Sequence, residues 1–196
     1  MEAGSLGDAL GLLEKSLKMN KTVLGEEDIS NAGIYSTLAK VYVKKKDYES
    51  AANNLSQVWE LTEIKYGTDS LEIAHVYLDF AKVYFKKKDF EEAIKYQKKG
   101  LENFRNNEYE PEKRAQAGIT LSEWLVKVEN YDEAYQYLKE AEEIYECIFG
   151  AVDKKTCKLK RDIALLLLKA NKYDEALEEV IAVEEQERNL YGETSI

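Results

Sequence analysis

Apolar residues recur along this chain at the spacing of one helical face, and the face itself returns after a fixed interval. Tyr35, Leu38, Ala39 and Tyr42 form an i, i+3, i+4, i+7 set, and Tyr77, Phe80, Ala81 and Tyr84 repeat it 42 positions later. That spacing is the signature of a helix burying one side. A polar turn follows each set, KKKDY at Lys44 to Tyr48 and KKKDF at Lys86 to Phe90. A second apolar series then opens, with Phe90, Ala93, Ile94 and Leu101 in one unit and Tyr131, Ala134, Leu138 and Ala141 in another. Each unit is therefore predicted to be a pair of antiparallel helices. Asp47, Asp89, Asn130 and Lys172 stand near the second-helix starts, and the first three carry an oxygen that accepts from free backbone amides.

The repetition extends over nearly the whole chain. Ala9, Ala51, Ala93, Ala134 and Ala176 are separated by 42, 42, 41 and 42 positions, and Gly25, Gly67, Tyr109, Gly150 and Gly192 keep the same beat. A fixed period of this length specifies an all-α solenoid, each pair covering the exposed face of its neighbour. The small residues are placed where paired helices approach most closely: Ala39, Ala81, Ser122 and Ala164 on first helices, Ala51, Ala93, Ala134 and Ala176 on second helices. A bulky side chain at such a site costs about 1–3 kcal/mol by overpacking. Residues 1–196 are read as one solenoid domain: an orphan second helix over 5–24, then helix pairs over 28–67, 69–107, 111–150 and 151–192, with 193–196 beginning a truncated unit. This implies either a fragment or isoform of a longer array, or an exposed terminal face (Leu177, Val180, Ile181) that pairs with another chain as a homodimer. The 41-residue interval marks Asn106 to Pro111 as the least regular junction. Pro111, the sole proline, suits a helix start.

The order aromatic, Leu, small, Tyr, then Tyr/Phe-x-x-Ala, best seen in YSTLAKVYVKKKDYESA and YLDFAKVYFKKKDFEEA, resembles the tetratricopeptide repeat. The long unit, with endings such as IKYGTDS, CIFGAVD and NLYGETS, is similar to the extended repeats of kinesin light chains and nephrocystin-type proteins. The resemblance implies a right-handed superhelix whose first helices line a concave groove that takes a peptide or helix of another protein. Carried over by position, the groove set includes Lys40 and Val43 from the first full pair, then His75, Leu78, Lys82 and Phe85, then Ile119 and Glu123, and last Lys158, Arg161 and Leu165. The Lys/Asn/Arg carboxylate clamp of chaperone-binding repeats is not reproduced at these places, nor are the paired asparagines of kinesin light chain grooves.

Charge sharpens this picture. The chain has 28 basic and 38 acidic residues, a net of −10, but the four first helices with their flanking turns hold 17 basic and 8 acidic of them, leaving 11 and 30 elsewhere. A groove more positive than its outside steers acidic peptides. The lysines at 44–46 and 86–88 read as solvated turn residues at the array's edge. An overall acidic balance works against nucleic-acid binding.

Little else in the sequence points to chemistry. His75 is the one histidine, so no multi-histidine metal site or Cys-His pair beyond it can form, and no phosphate-cradling glycine loop is present. Neither catalytic residues, a metal nor a cofactor is expected. Cys147 and Cys157 read as packed thiols in a reduced compartment, and no stretch suits a membrane span. A cytoplasmic setting, with cytoskeletal or ciliary association, is the expectation. The sequence thus reads as a non-catalytic interaction scaffold; its alternative is a structural spacer of a motor, ciliary or signalling assembly, using its ends and acidic convex face.

Overall fold

The structure, a computed structural model, describes residues 2–107 and 110–191. They form α1 (Glu2–Leu24), α2 (Ser30–Lys44), α3 (Tyr48–Tyr66), α4 (Leu71–Lys87), α5 (Phe90–Asn106), α6 (Pro111–Lys127), α7 (Tyr131–Phe149), α8 (Lys154–Lys169) and α9 (Tyr173–Tyr191). No strand occurs among the described residues, and the architecture is an all-α repeat fold. In the repeats α2 packs on α3, α4 on α5, α6 on α7 and α8 on α9, while α1 packs on α2. Two compact units result, one ending at Asn107 and the other beginning at Glu108, within the junction where the period shortens.

Local chemistry sets the helix ends. Asp47, Asp89 and Asn130 accept from the amides of Ser50, Glu92 and Glu133 and so cap α3, α5 and α7. The amide and hydroxyl of Ser50 hold the Asp47 carboxyl below its ordinary value. Ser70 and Asp153 cap α4 and α8 in the same way. Gly25, Gly67 and Gly150 take φ values of 98°, 83° and 94° just after their helices, which explains the glycine series: an L side chain is strained there. Tyr109 and Gly192, the other members of that series, lie outside the described residues, as does the segment 193–196. Within each pair, the turn also has a left-handed residue, and here it is not glycine. Lys46, Lys88, Glu129 and Asn171 hold φ between 60° and 69° at equivalent positions of successive repeats.

Each unit has its own core. In the first, Leu38, Leu55, Phe80, Leu101 and Phe104 are buried around the paired alanines, Ala51, Ala81 and Ala93 being fully enclosed. In the second, Leu121, Leu125, Ile163 and Leu167 do the same around Ala134 and Ala164. Each such Leu, Ile or Phe contributes about 1.5–3 kcal/mol by leaving water. Gly100 marks the tightest approach. A Cβ there would lie 2.8 Å from Leu78 Cδ2 and 3.1 Å from the Ala74 carbonyl oxygen, so any larger residue would require Leu78 to move and α4 and α5 to part by a few tenths of an ångström.

Side-chain amides tie the loops between repeats. Asn31 donates to the carbonyls of Gly25 and Glu26, and Asn103 donates to those of Thr68 and Ser70 at 2.9 and 3.4 Å. These bonds satisfy carbonyls that helix ends leave open. Of the two cysteines, Cys157 is buried as expected, but Cys147 is exposed because it falls on the outer side of α7. No described helix is long and apolar enough to cross a membrane.

Candidate functional site

The first unit contains a cavity of about 800 Å³ between α2 and α4, with α3 contributing to its wall. Its apolar lining comes from Ala39, Val43, Leu55 and Val83, each on the inward face that the helical period assigns. Around it stand Lys40 and Lys44 of α2, Lys46 of the turn, and Lys82 and Lys86 of α4. Lys40 and Lys82 hold equivalent positions one repeat apart, and so do Lys44 and Lys86; in each case the second lysine follows the first by four residues. On a helix that spacing places both on one face, about 6 Å apart along the axis. Two lysine columns therefore flank an apolar lining.

Only one acidic side chain lines this cavity. Asp79 sits 2.9 Å from Lys82 Nζ, an i, i+3 pair on α4. Among the described residues no ion pair engages Lys40, Lys44, Lys46 or Lys86. The lining thus carries five lysines against one aspartate, a net of +4. Exposed ammonium groups beside apolar surface suit a ligand that combines carboxylates with an apolar side chain.

Of the residues carried over by position, Lys40, Val43 and Lys82 are brought together here. His75, Leu78 and Phe85 turn instead toward α5. The His75 ring meets Phe104 edge-on at 5.3 Å, Phe85 lies 5.4 Å from Phe90, and Leu78 covers Gly100. They are packing residues of the helix pair. The lysines that sequence alone reads as solvated turn residues prove to be part of the cavity, at least for Lys44, Lys46 and Lys86. The i+4 relation of Lys44 to Lys40, and of Lys86 to Lys82, was the signal for this.

The second unit is arranged differently. Ile119, Glu123 and Lys158 line a cavity of about 250 Å³ together with Glu112, Lys155 and Asp162. Lys155 Nζ is 2.6 Å from Glu112 Oε1, and that hydrogen bond holds the ammonium above its ordinary value. Arg161 and Leu165 lie in a separate apolar depression of about 330 Å³ with Leu168 and Val180, and Arg161 pairs with Glu187 at 3.0 Å. Lys160 is buried at 5% exposure, 2.7 Å from Glu146 and 3.7 Å from Glu142, and donates to Gln186. Lys139 bridges Glu142 and Glu179. Burial alone would lower its pKa, but the hydrogen bond and charge of Glu142, with Glu179, hold it raised. The basic excess counted over first helices is therefore only partly a surface property: in α8 much of it is neutralised internally.

Paired helices at a constant period, capped at their starts and closed by left-handed residues at their ends, define an all-α array of the helical-repeat class. The family model described as tetratricopeptide repeat matches residues 32–106, from α2 to the end of α5. Among solved structures, BtubC (BKLC) from P. vanneervenii is similar over 100% of this chain and 78% of its own, at 19% identity and a TM-score of 0.74. Nearly identical TPR-like repeats from Podosopora anserina, carrying the kinesin light chain name, align over 97% and 90% at 16% identity and a TM-score of 0.76. The apo form of RapI aligns over 92% and 64% at 18% identity and a TM-score of 0.71. No curated protein sequence matches the chain.

Proposed function

We propose that this chain is a non-catalytic interaction module whose first unit binds an acidic peptide segment in the cavity between α2 and α4. The observation that carries the reading is the pairing of an apolar lining with five lysines, four of them outside any described ion pair. Apolar contact supplies most of the affinity of such a site, while the lysines supply attraction and selectivity. The similarity to BtubC and to kinesin-light-chain-named repeats supports the helical-repeat fold on which the proposal rests. In the depressions of the second unit, carboxylates already meet Lys155 and Arg161, through Glu112 and Glu187.

The test is a titration of the chain with a labelled peptide carrying a leucine flanked by glutamates, beside a lysine-flanked counterpart. Binding of the acidic probe alone, weakening as salt is raised, and at least about tenfold weaker in Lys40→Glu with Lys82→Glu, is the expected result; tenfold corresponds to about 1.4 kcal/mol. Equal binding by the correctly folded double variant contradicts the proposal.

A further inference from the structure

We infer that the occupant of the lysine-rimmed cavity is the outer face of α9 from a second copy of this chain. The inference rests on the acidic-ligand reading above and names its partner. On α9, Tyr173, Leu177, Val180 and Ile181 stand at i, i+4, i+7 and i+8, which places them on one face. Their exposures are 62%, 58%, 37% and 47%, an apolar stripe that is open to solvent along Tyr173, Leu177 and Ile181 and runs through Val180 into the depression with Leu165 and Leu168. Isolated exposed apolar residues are ordinary, but a stripe of four large ones marks a contact surface.

The charges of α9 sort by direction. Carboxylates toward the rest of the second unit are matched there, Glu179 by Lys139 and Glu187 by Arg161. Beside the exposed stripe, Asp174, Glu178, Glu184 and Glu185 have no ion-pair partner among the described residues, and Arg188 is the one basic residue in the helix. The cavity in the first unit shows the opposite sign in the same arrangement: its aspartate is held by Lys82, and Lys40, Lys44, Lys46 and Lys86 remain unmatched around an apolar lining. Each face thus offers what the other lacks. An apolar stripe flanked by carboxylates fits an apolar hollow flanked by ammonium groups, and both sets of charges keep enough solvent contact to avoid a large desolvation cost.

The contact is heterologous, since two different surfaces meet. A copy bound through its cavity keeps a free α9, and a copy bound through α9 keeps a free cavity. This distinguishes it from a symmetric dimer in which like faces meet.

Sedimentation of the full chain over a wide concentration range at low salt tests the inference. The average mass is expected to rise above that of a monomer with concentration and to fall back at high salt. Lys40→Glu with Lys82→Glu breaks the cavity, and Val180→Ser with Ile181→Ser breaks the stripe. Each variant alone should be monomeric, while an equimolar mixture should form a one-to-one dimer, because one variant retains the cavity and the other retains α9. All four substituted positions are exposed, and unchanged far-ultraviolet circular dichroism and melting of each variant would verify folding. A wild-type chain that stays monomeric overturns the inference. So does self-association by either single variant at the wild-type level, or a mixture that remains monomeric. If the wild-type chain binds the glutamate-flanked peptide yet stays monomeric, the cavity reading stands and only this partner falls; if it does neither, both fall.

Discussion

Lysines of the two units do opposite work. In the first unit Lys40, Lys44 and Lys86 stand at the rim of an open cavity and enter no ion pair among the described residues. In the second unit Lys160 is buried between Glu142 and Glu146, and Lys155 and Arg161 lie against Glu112 and Glu187. Basic residues on first helices thus present charge in one unit and fasten helices together in the other, at different positions of the repeat: the place of Lys40 and Lys82 is held in α8 by Leu165, and that of Lys160 in α2 by Tyr35. Which outcome occurs depends on the facing helix: α7 and α9 bring carboxylates to α8, whereas α3 brings Leu55 and Tyr48 to α2 and α4. Counting charge by helix therefore overstates how much of it a partner meets.

Substitution of one lysine from each class separates these roles most strongly. Lys160→Met leaves Glu142 buried without that cation, and loss of one member of a buried pair costs about 3–5 kcal/mol. Lys40→Met removes an exposed, unpaired charge and is expected to change stability by less than about 0.5 kcal/mol. Denaturant melts of the two variants check the contrast, and equal losses would break it. A smaller difference is expected between the glycines of the two units. At Gly100 an added methyl meets Leu78 and the Ala74 carbonyl, so Gly100→Ala should destabilise by about 1–3 kcal/mol. At Gly118 the nearest atom to an added Cβ is the Tyr137 carbonyl at 3.5 Å, an ordinary contact. Gly118→Ala is therefore expected to be neutral or to stabilise by about 0.5–1 kcal/mol, since it lowers the entropy of the unfolded chain.

The fold was legible because its determinants are local and repeated. Tyr35, Leu38, Ala39 and Tyr42 set a helical face, Asp47 caps the next helix, and Gly67 ends it, so each element could be placed without knowing its neighbours. The shortened interval at Asn106 to Pro111 likewise coincides with the boundary between the compact units. Of the candidate site, the repeat register and the packing of neighbouring helices agree at Lys40, Val43 and Lys82, which line one cavity. His75, Leu78 and Phe85 are taken up by contacts with Phe104, Gly100 and Phe90 on α5, and nothing in the α4 sequence records what lies across from it. The same limit hid the burial of Lys160. Its partners lie on α7 and α9, so the ion network becomes visible only when three helices are assembled.

The most direct measurement of the central claim is an amide chemical-shift map of the isotopically labelled full chain during addition of the glutamate-flanked leucine peptide. Perturbations are expected to concentrate on α2, the following turn and the C-terminal half of α4, around Lys40, Val43, Lys46, Lys82 and Lys86. Perturbations centred instead on Ile119, Glu123 and Lys158, with the first unit unchanged, would contradict that claim.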